Sequence, residues 1–306
     1  MAVVGEQTRA IVVGRPPPGA AGLRQLWVRL RRDLPLLPLA ILVPFVLIAV
    51  FAGAIAPYDP TEPIPGAKIF EPPFWMQNAN SLAPLGTDFQ GRDVLSRLIF
   101  GARVSLIVGV MGTIVAGSIG TILGIVSGYL GGWVDQAIMR VTDAWLALPA
   151  LVFAIFLATM VGPSMWNIII ILGLVYWTRY ARVIRGEVLS LREREFVKLA
   201  EIAGASSTRV ILRHILPNVL NSAMVLASLT IGVVIIAEAS LSFLGVGVPA
   251  PEPAWGSMLA DGRSMLMVGA WWLTVFPGLC IMMVVLATQL IGDWLRIRLD
   301  PQLRNL

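Results

Sequence analysis

The sequence predicts an all-α polytopic membrane protein with six transmembrane helices. Three observations carry that expectation. Of 306 residues, 57% are hydrophobic and only 13% charged, and the mean hydropathy is +0.80, a balance that soluble domains do not show. The apolar residues fall in six runs, 34–56, 104–130, 141–161, 166–178, 219–237 and 265–292. Arginine and lysine concentrate in the segments on one side of those runs, as a fixed orientation in a bilayer requires.

The chain opens with a basic tail, residues 1–33, holding Pro16, Pro17 and Pro18 and the arginines Arg9, Arg15, Arg24, Arg29, Arg31 and Arg32. Its polarity predicts disorder over the first part. The first apolar run starts late and lacks a small-residue cleavage site, which argues against a cleaved signal peptide. Residues 34–56 carry no charge; as a helix they reach ~34 Å, enough for one crossing. The insert 57–102 is richer in proline and glycine, and its acids balance its bases. It is long for a loop and is expected to fold on the membrane surface, with Val94, Leu95, Leu98 and Ile99 suited to a short interfacial helix. In the second run Gly112, Ala116, Gly120, Gly124 and Gly128 recur every four residues, a spacing that lets helix backbones approach closely. Internal packing is the expected use.

The basic residues orient the spans. Arg179, Arg182, Arg185, Arg192, Arg194, Lys198, Arg209 and Arg213 crowd the segment between the fourth and fifth runs, and Arg296, Arg298 and Arg304 follow the sixth. The opposite side has Lys68, Arg92 and Arg97 in the long insert and Arg103 just after it, offset by acids, and Arg263. Both termini and the 186–217 insert are therefore expected in the cytoplasm and the 57–102 insert outside it. The net charge of +5 is a topology signal. It is no nucleic-acid footprint, because stacking aromatics are missing beside the basic clusters.

Glu195 to Asn218 is the most distinctive stretch. Phe196, Leu199, Ala200 and Ala203 sit at helical spacing and predict one apolar stripe. Gly204 is expected to stop that helix by taking the left-handed conformation. Ser206 or Ser207 then suits the cap of a second short helix from Thr208 to Leu216, closed by Pro217. An apolar stripe too short to span needs headgroups or a partner protein to lie against.

Catalytic chemistry is sparse. With one cysteine, Cys280, and one histidine, His214, disulfides and the common zinc sites are excluded. There is no GxxxxGK[ST] motif, so the usual ATP-hydrolysing loop is absent from this chain. Asp143 and Glu238 are the ionisable groups near membrane depth and are candidate proton or substrate sites. The structural reading is favoured for both, with Asp143 a helix-end carboxylate paired to Arg140 or an insert arginine and Glu238 solvated at the interface. The tryptophans, among them Trp133, Trp145, Trp166, Trp177, Trp255 and Trp272, lie near span ends as an interfacial belt would.

The 195–218 stretch resembles the coupling loop of permease subunits of bacterial ATP-binding-cassette importers. That loop is written Glu-Ala-Ala, three residues, Gly, nine residues, Ile-x-Leu-Pro. Here those places hold Lys198, Leu199, Ala200, Gly204, His214, Leu216 and Pro217; Ala, Gly, Leu and Pro match, while Lys198, Leu199 and His214 depart. The likeness extends to APYDP at 56–60, PLGTDFQGRDVLSRLIFGARVSL at 84–106, GYLGGWVD at 128–135, RVTDAWLALPAL at 140–151 and AEASLSFLGVGVPAPEPAWGSML at 237–259. Together these are similar to the second permease of the dipeptide/oligopeptide branch.

The resemblance implies a type I transmembrane domain over 100–293, preceded by the first span as an added helix and followed by a cytoplasmic tail, 294–306. It places the protein in the bacterial inner membrane. It implies a homologous permease as partner, two ATPase subunits that hold ATP and magnesium, and an external solute-binding protein, with lipid around the spans. No cofactor or metal is expected in this chain. Lys198, Leu199, Ala200, Gly204, Ala205, Ser206, His214, Leu216 and Pro217 would meet the ATPase. The branch also includes carriers of nickel and other small ligands. The competing readings are a proton-coupled secondary transporter using Asp143 and Glu238, and a membrane assembly or receptor subunit without transport.

Overall fold

A computed structural model describes residues 35–77, 79 and 81–299. The basic tail 1–33 and residues 300–306, including Arg304, lie outside the described residues. The helices are α1 (Leu36–Val50), α2 (Ala52–Ile55), α3 (Val94–Leu130), α4 (Gly132–Leu146), α5 (Ala150–Val161), α6 (Met165–Arg192), α7 (Glu195–Ile202), α8 (Ser207–Val210), α9 (Leu216–Phe243), α10 (Trp255–Met265) and α11 (Trp272–Leu299). A π turn, Ile211–Ile215, joins α8 to α9. Among the described residues there is no strand, only two isolated bridges, Pro63 with Arg92 and Thr87 with Asp93.

Four helices are long and apolar enough to cross a membrane: α3, α6, α11 and the continuous stretch Ser207–Phe243. α4 and α5 meet at 90° and make one broken span if taken together. The break falls at Pro149, whose ring pushes the residue before it out of the helical region, and the Trp145 indole N–H donates to the Leu174 carbonyl at 2.7 Å to hold it on α6. α1 is shorter, at 15 residues; its ~22 Å falls short of a ~30 Å core. The predicted runs are helical over most of their described length, but the run 141–161 breaks at 147–149 and the run 265–292 becomes continuous helix only from Trp272, so four spans, or five with the broken pair, stand where six were expected.

Two boundaries differ from expectation. Val94, Leu95, Leu98 and Ile99 are no separate interfacial helix; they are the first turns of α3, started by Asp93, whose carboxylate accepts from the Ser96 N–H at 2.8 Å. Their hydrophobic spacing belongs to the span because Val94, Leu98 and Ile99 are buried in the protein. Likewise α6 runs on past Thr178 to Arg192, so Arg179, Arg182, Arg185 and Arg192 lie on a membrane helix that projects beyond its apolar run.

The glycine stripe of α3 lies against α6. A methyl carbon added at Gly124 would stand 2.8 Å from the Ala181 carbonyl, one at Gly128 2.8 Å from Val188 Cβ, and one at Gly120 would collide with the Trp177 carbonyl. Only hydrogen fits, so the stripe is internal packing. Val108, Ala116, Ile168, Leu172, Tyr180, Val234 and Leu241 form the core that α3, α6 and α9 share.

The segment before α3 is held by buried charge. Asp88 accepts from Arg92 Nε at 2.7 Å and from Arg97 Nη1 at 2.8 Å, and all three residues are buried. Trp255 and Trp272 are also interior, their indole N–H groups reaching the Leu98 and Thr87 carbonyls at 3.0 and 3.4 Å, and Trp177 is buried on α6. The belt reading therefore fails for these three; Trp133 and Trp166 remain on the surface.

Candidate functional site: the insert between α6 and α9

α7 follows directly on the charged end of α6. Its exposed ion pair, Lys198 Nζ to Glu193 Oε2 at 2.8 Å, ties the helix to the turn before it; the lysine holds the Glu193 carboxyl below its usual value. The predicted stripe divides in two. Val197 is fully buried and Ala200 packs beside it, in a cluster with Ile125 and Tyr129 of α3 and Ile184, Val188 and Leu191 of α6. Phe196 and Ala203 are exposed, Leu199 is 63% exposed and Ile202 83% exposed. Leu199 and Ile202, three apart, share a face. A 100° step between residues separates Val197 from them, so one helix seats itself on its own chain and still offers apolar side chains outward.

The end of α7 is a Schellman turn. Gly204 has φ +80°; its N–H donates to the Glu201 carbonyl at 3.0 Å and the Ala205 N–H to the Ala200 carbonyl at 3.0 Å, the paired bonds that define the motif. Gly204 is exposed, and nothing lies within 4 Å of where its Cβ would be. Ala205 is half-buried and packs against the same cluster as Val197. Ser206 occupies the N-cap of α8, but its side chain makes no capping bond; its carbonyl takes the Val210 N–H at 3.0 Å instead.

Pro217 does not close the second helix. Helix continues from Ser207 to Phe243, with the Leu216 N–H reaching back to the Ile211 carbonyl in the π turn. The wider turn leaves Pro217 in the first turn of α9, where a missing N–H removes no α-helical bond. Leu216 is half-buried. His214 is half-buried with its ring 6.3 Å from that of Phe196, and its carbonyl accepts from Asn218 Nδ2 at 2.6 Å. The insert is therefore a short docked helix, a glycine corner, and a rod that enters the membrane as α9.

Two groups that sequence spacing does not reveal brace this end. The Tyr129 hydroxyl donates to Glu201 Oε1 at 3.1 Å. Arg185 grips Asp135 through Nε and Nη2 at 2.5 and 2.6 Å, and the Ser127 hydroxyl donates to the same carboxylate, joining α3, α4 and α6. Both contacts link residues far apart in sequence.

The two membrane carboxylates do not meet in one site. Asp143 is exposed and pairs with Arg182, on the basic end of α6, at 2.7 Å in preference to Arg140. Glu238 is fully buried, accepting from the hydroxyls of Ser105 at 3.2 Å and Ser242 at 2.7 Å; the solvated position expected for it is overturned by its place between α3 and α9. No cluster of metal-ligating side chains occurs among the described residues.

Long apolar helices, a basic end and a short helix with exposed Leu199 and Ile202 define a polytopic membrane protein. Residues 120–305 match the family of binding-protein-dependent transport system inner membrane components. The chain belongs to that family, and so is the membrane part of a transport system and not its ATPase. It is 41% identical over 303 residues to the dipeptide transport system permease protein DppC of Escherichia coli strain K12, covering 99% of this chain and all of that one. It is 38% identical over 296 residues to the protein of the same name in Alkalihalophilus pseudofirmus, 95% of each chain. With the di/tripeptide transport system permease protein DppC of Pseudomonas aeruginosa it shares 39% identity over 260 residues, 85% of each.

Proposed function

We propose that this chain is a permease subunit of an ATP-binding-cassette importer for di- or oligopeptides. It lines the path with a homologous permease, receives ligand from an external solute-binding protein, and docks two ATPase subunits that hold ATP and magnesium. Its termini and the 186–217 insert face the cytoplasm, and residues 57–102 face outward. The type I domain spans 100–293. The observation that carries the reading is the exposed Leu199–Ile202 pair on a helix joined, through Gly204, to a rod continuous with a membrane span. Force applied to α7 moves α9 because helix runs unbroken from Ser207 to Phe243. The peptide assignment rests on the names of relatives that match nearly the whole chain.

Reconstitution tests it. The complex in proteoliposomes should accumulate radiolabelled dialanine only with the binding protein, the ATPases and ATP. Uptake driven by a proton gradient without ATPases would replace this function with secondary transport. ATP-driven uptake of nickel but not of the peptide would keep the architecture and reject the substrate.

A further inference from the structure

We propose that the groove between α9, α10 and α11 holds one acyl chain of an anionic phospholipid whose phosphate rests on Arg263. The groove is a cavity of about 320 Å³ walled by Ile236, Ser240, Phe243, Leu259 and Ile281 among others. The polar atom in that set is the Ser240 hydroxyl, which donates to the Ile236 carbonyl at 2.7 Å, so the wall presents hydrocarbon.

Depth identifies the occupant. Phe243 is the last residue of α9 and Trp272 the first of α11. At 1.5 Å per residue, Ile236 lies ~10 Å and Ile281 ~13 Å below those helix ends, within the ~15 Å of one leaflet's hydrocarbon. A cation stands beside the wall residue at the end of α9. The Arg263 guanidinium lies over the Phe243 ring, 5.4 Å from its centroid. Arg263 is exposed and makes no salt bridge among the described residues. Just beyond it, Leu266, Met267 and Val268 form an exposed apolar turn, Met267 being 94% exposed, which belongs at a membrane surface. An apolar slot within one leaflet's depth, with a cation over its Phe243 wall, complements a phosphate followed by an acyl tail. A transported peptide would also need an acceptor for its ammonium group, and no carboxylate lines the slot.

The test uses the intact transporter, purified and placed in nanodiscs of dioleoylphosphatidylglycerol. Cryo-electron microscopy should show rod-like density in the groove with phosphate density against Arg263. Native mass spectrometry, reading phosphatidylglycerol carried by this subunit on dissociation of the complex, should find retention about fivefold weaker for Arg263→Gln, as loss of one surface cation predicts. Ser240→Phe, which fills the slot from a half-buried position on its wall, should abolish it while the complex stays assembled. Partner-permease side chains filling the groove, or equal retention by wild type and both variants, would overturn the assignment.

Discussion

Replacing Gly204 separates the strength of its turn from the surface it presents. At φ +80° any side chain costs about 1 kcal/mol of backbone strain. Because nothing lies within 4 Å of the added Cβ and Gly204 is exposed, alanine carries only that backbone cost, and a larger side chain can project from the surface. Gly204→Ala should therefore leave the permease folded and coupled, or slightly weakened. If this corner docks an ATPase as proposed, Gly204→Trp adds bulk to the contact, where overpacking costs about 1–3 kcal/mol, roughly 5- to 150-fold in affinity. The assay is co-purification of ATPases with each variant from membranes, beside ATP-dependent uptake per permease. Tryptophan should lose both and alanine neither; Ser190→Trp on α6 should do much less. Equal losses for alanine and tryptophan would place the effect in the turn and refute docking at this corner, and a wild-type Gly204→Trp would refute it outright.

Asp88→Asn removes the carboxylate shared by buried Arg92 and Arg97 and should cost about 3–5 kcal/mol, read as a lower thermal midpoint of the purified complex; a loss under about 1 kcal/mol contradicts the network. Asp143→Asn breaks a pair whose side chains are 56% and 60% exposed, so stability should change by less than about 1 kcal/mol with ATP-driven transport intact; a folded variant without transport would reinstate a proton or substrate role. Burial holds the Asp261 carboxyl above its ordinary value, and Arg97 pulls it back only in part. The folded protein thus binds that proton more tightly than the unfolded chain, and this group's contribution falls as pH rises from about 4 through the raised value. Asp261→Asn should flatten that part of a stability–pH curve, and an unchanged slope would assign it elsewhere.

Much of this was legible in the sequence, and the misses have physical causes. The six apolar runs were visible because lipid-facing helices are apolar all round. Their ends were not. Hydropathy stops at Thr178, while α6 continues to Arg192 because its polar turns bind Asp135 and pack on α3. Val94 to Ile99 read as interfacial because apolar spacing does not distinguish a helix lying on a membrane from the first turns of one entering it. Pro217 reads as a stop, yet a π turn lets the helix pass through it. The Gly204 corner was legible because a left-handed turn needs glycine, but the division of α7 into a seated Val197 and an outward Leu199 and Ile202 depends on where α3 and α6 stand. Trp255, Trp272 and Glu238 were misjudged for the same reason: burial by distant helices leaves no local mark. In Arg92 and Arg97 the charge was counted for topology, and its partner in Asp88 appears only once the segment folds.

In the proposed function α7 meets an ATPase through the face bearing Ile202. Cysteines placed at Ile202 and, separately, at Val197, with Cys280 replaced by alanine, can be tested in membranes holding the assembled transporter using a bifunctional thiol reagent. Ile202→Cys should form a covalent adduct with an ATPase subunit, and fully buried Val197→Cys should not. Failure of Ile202→Cys to join an ATPase in a complex that still transports, or its modification only by lipid-phase reagents, would contradict the account and make α7 an interfacial helix.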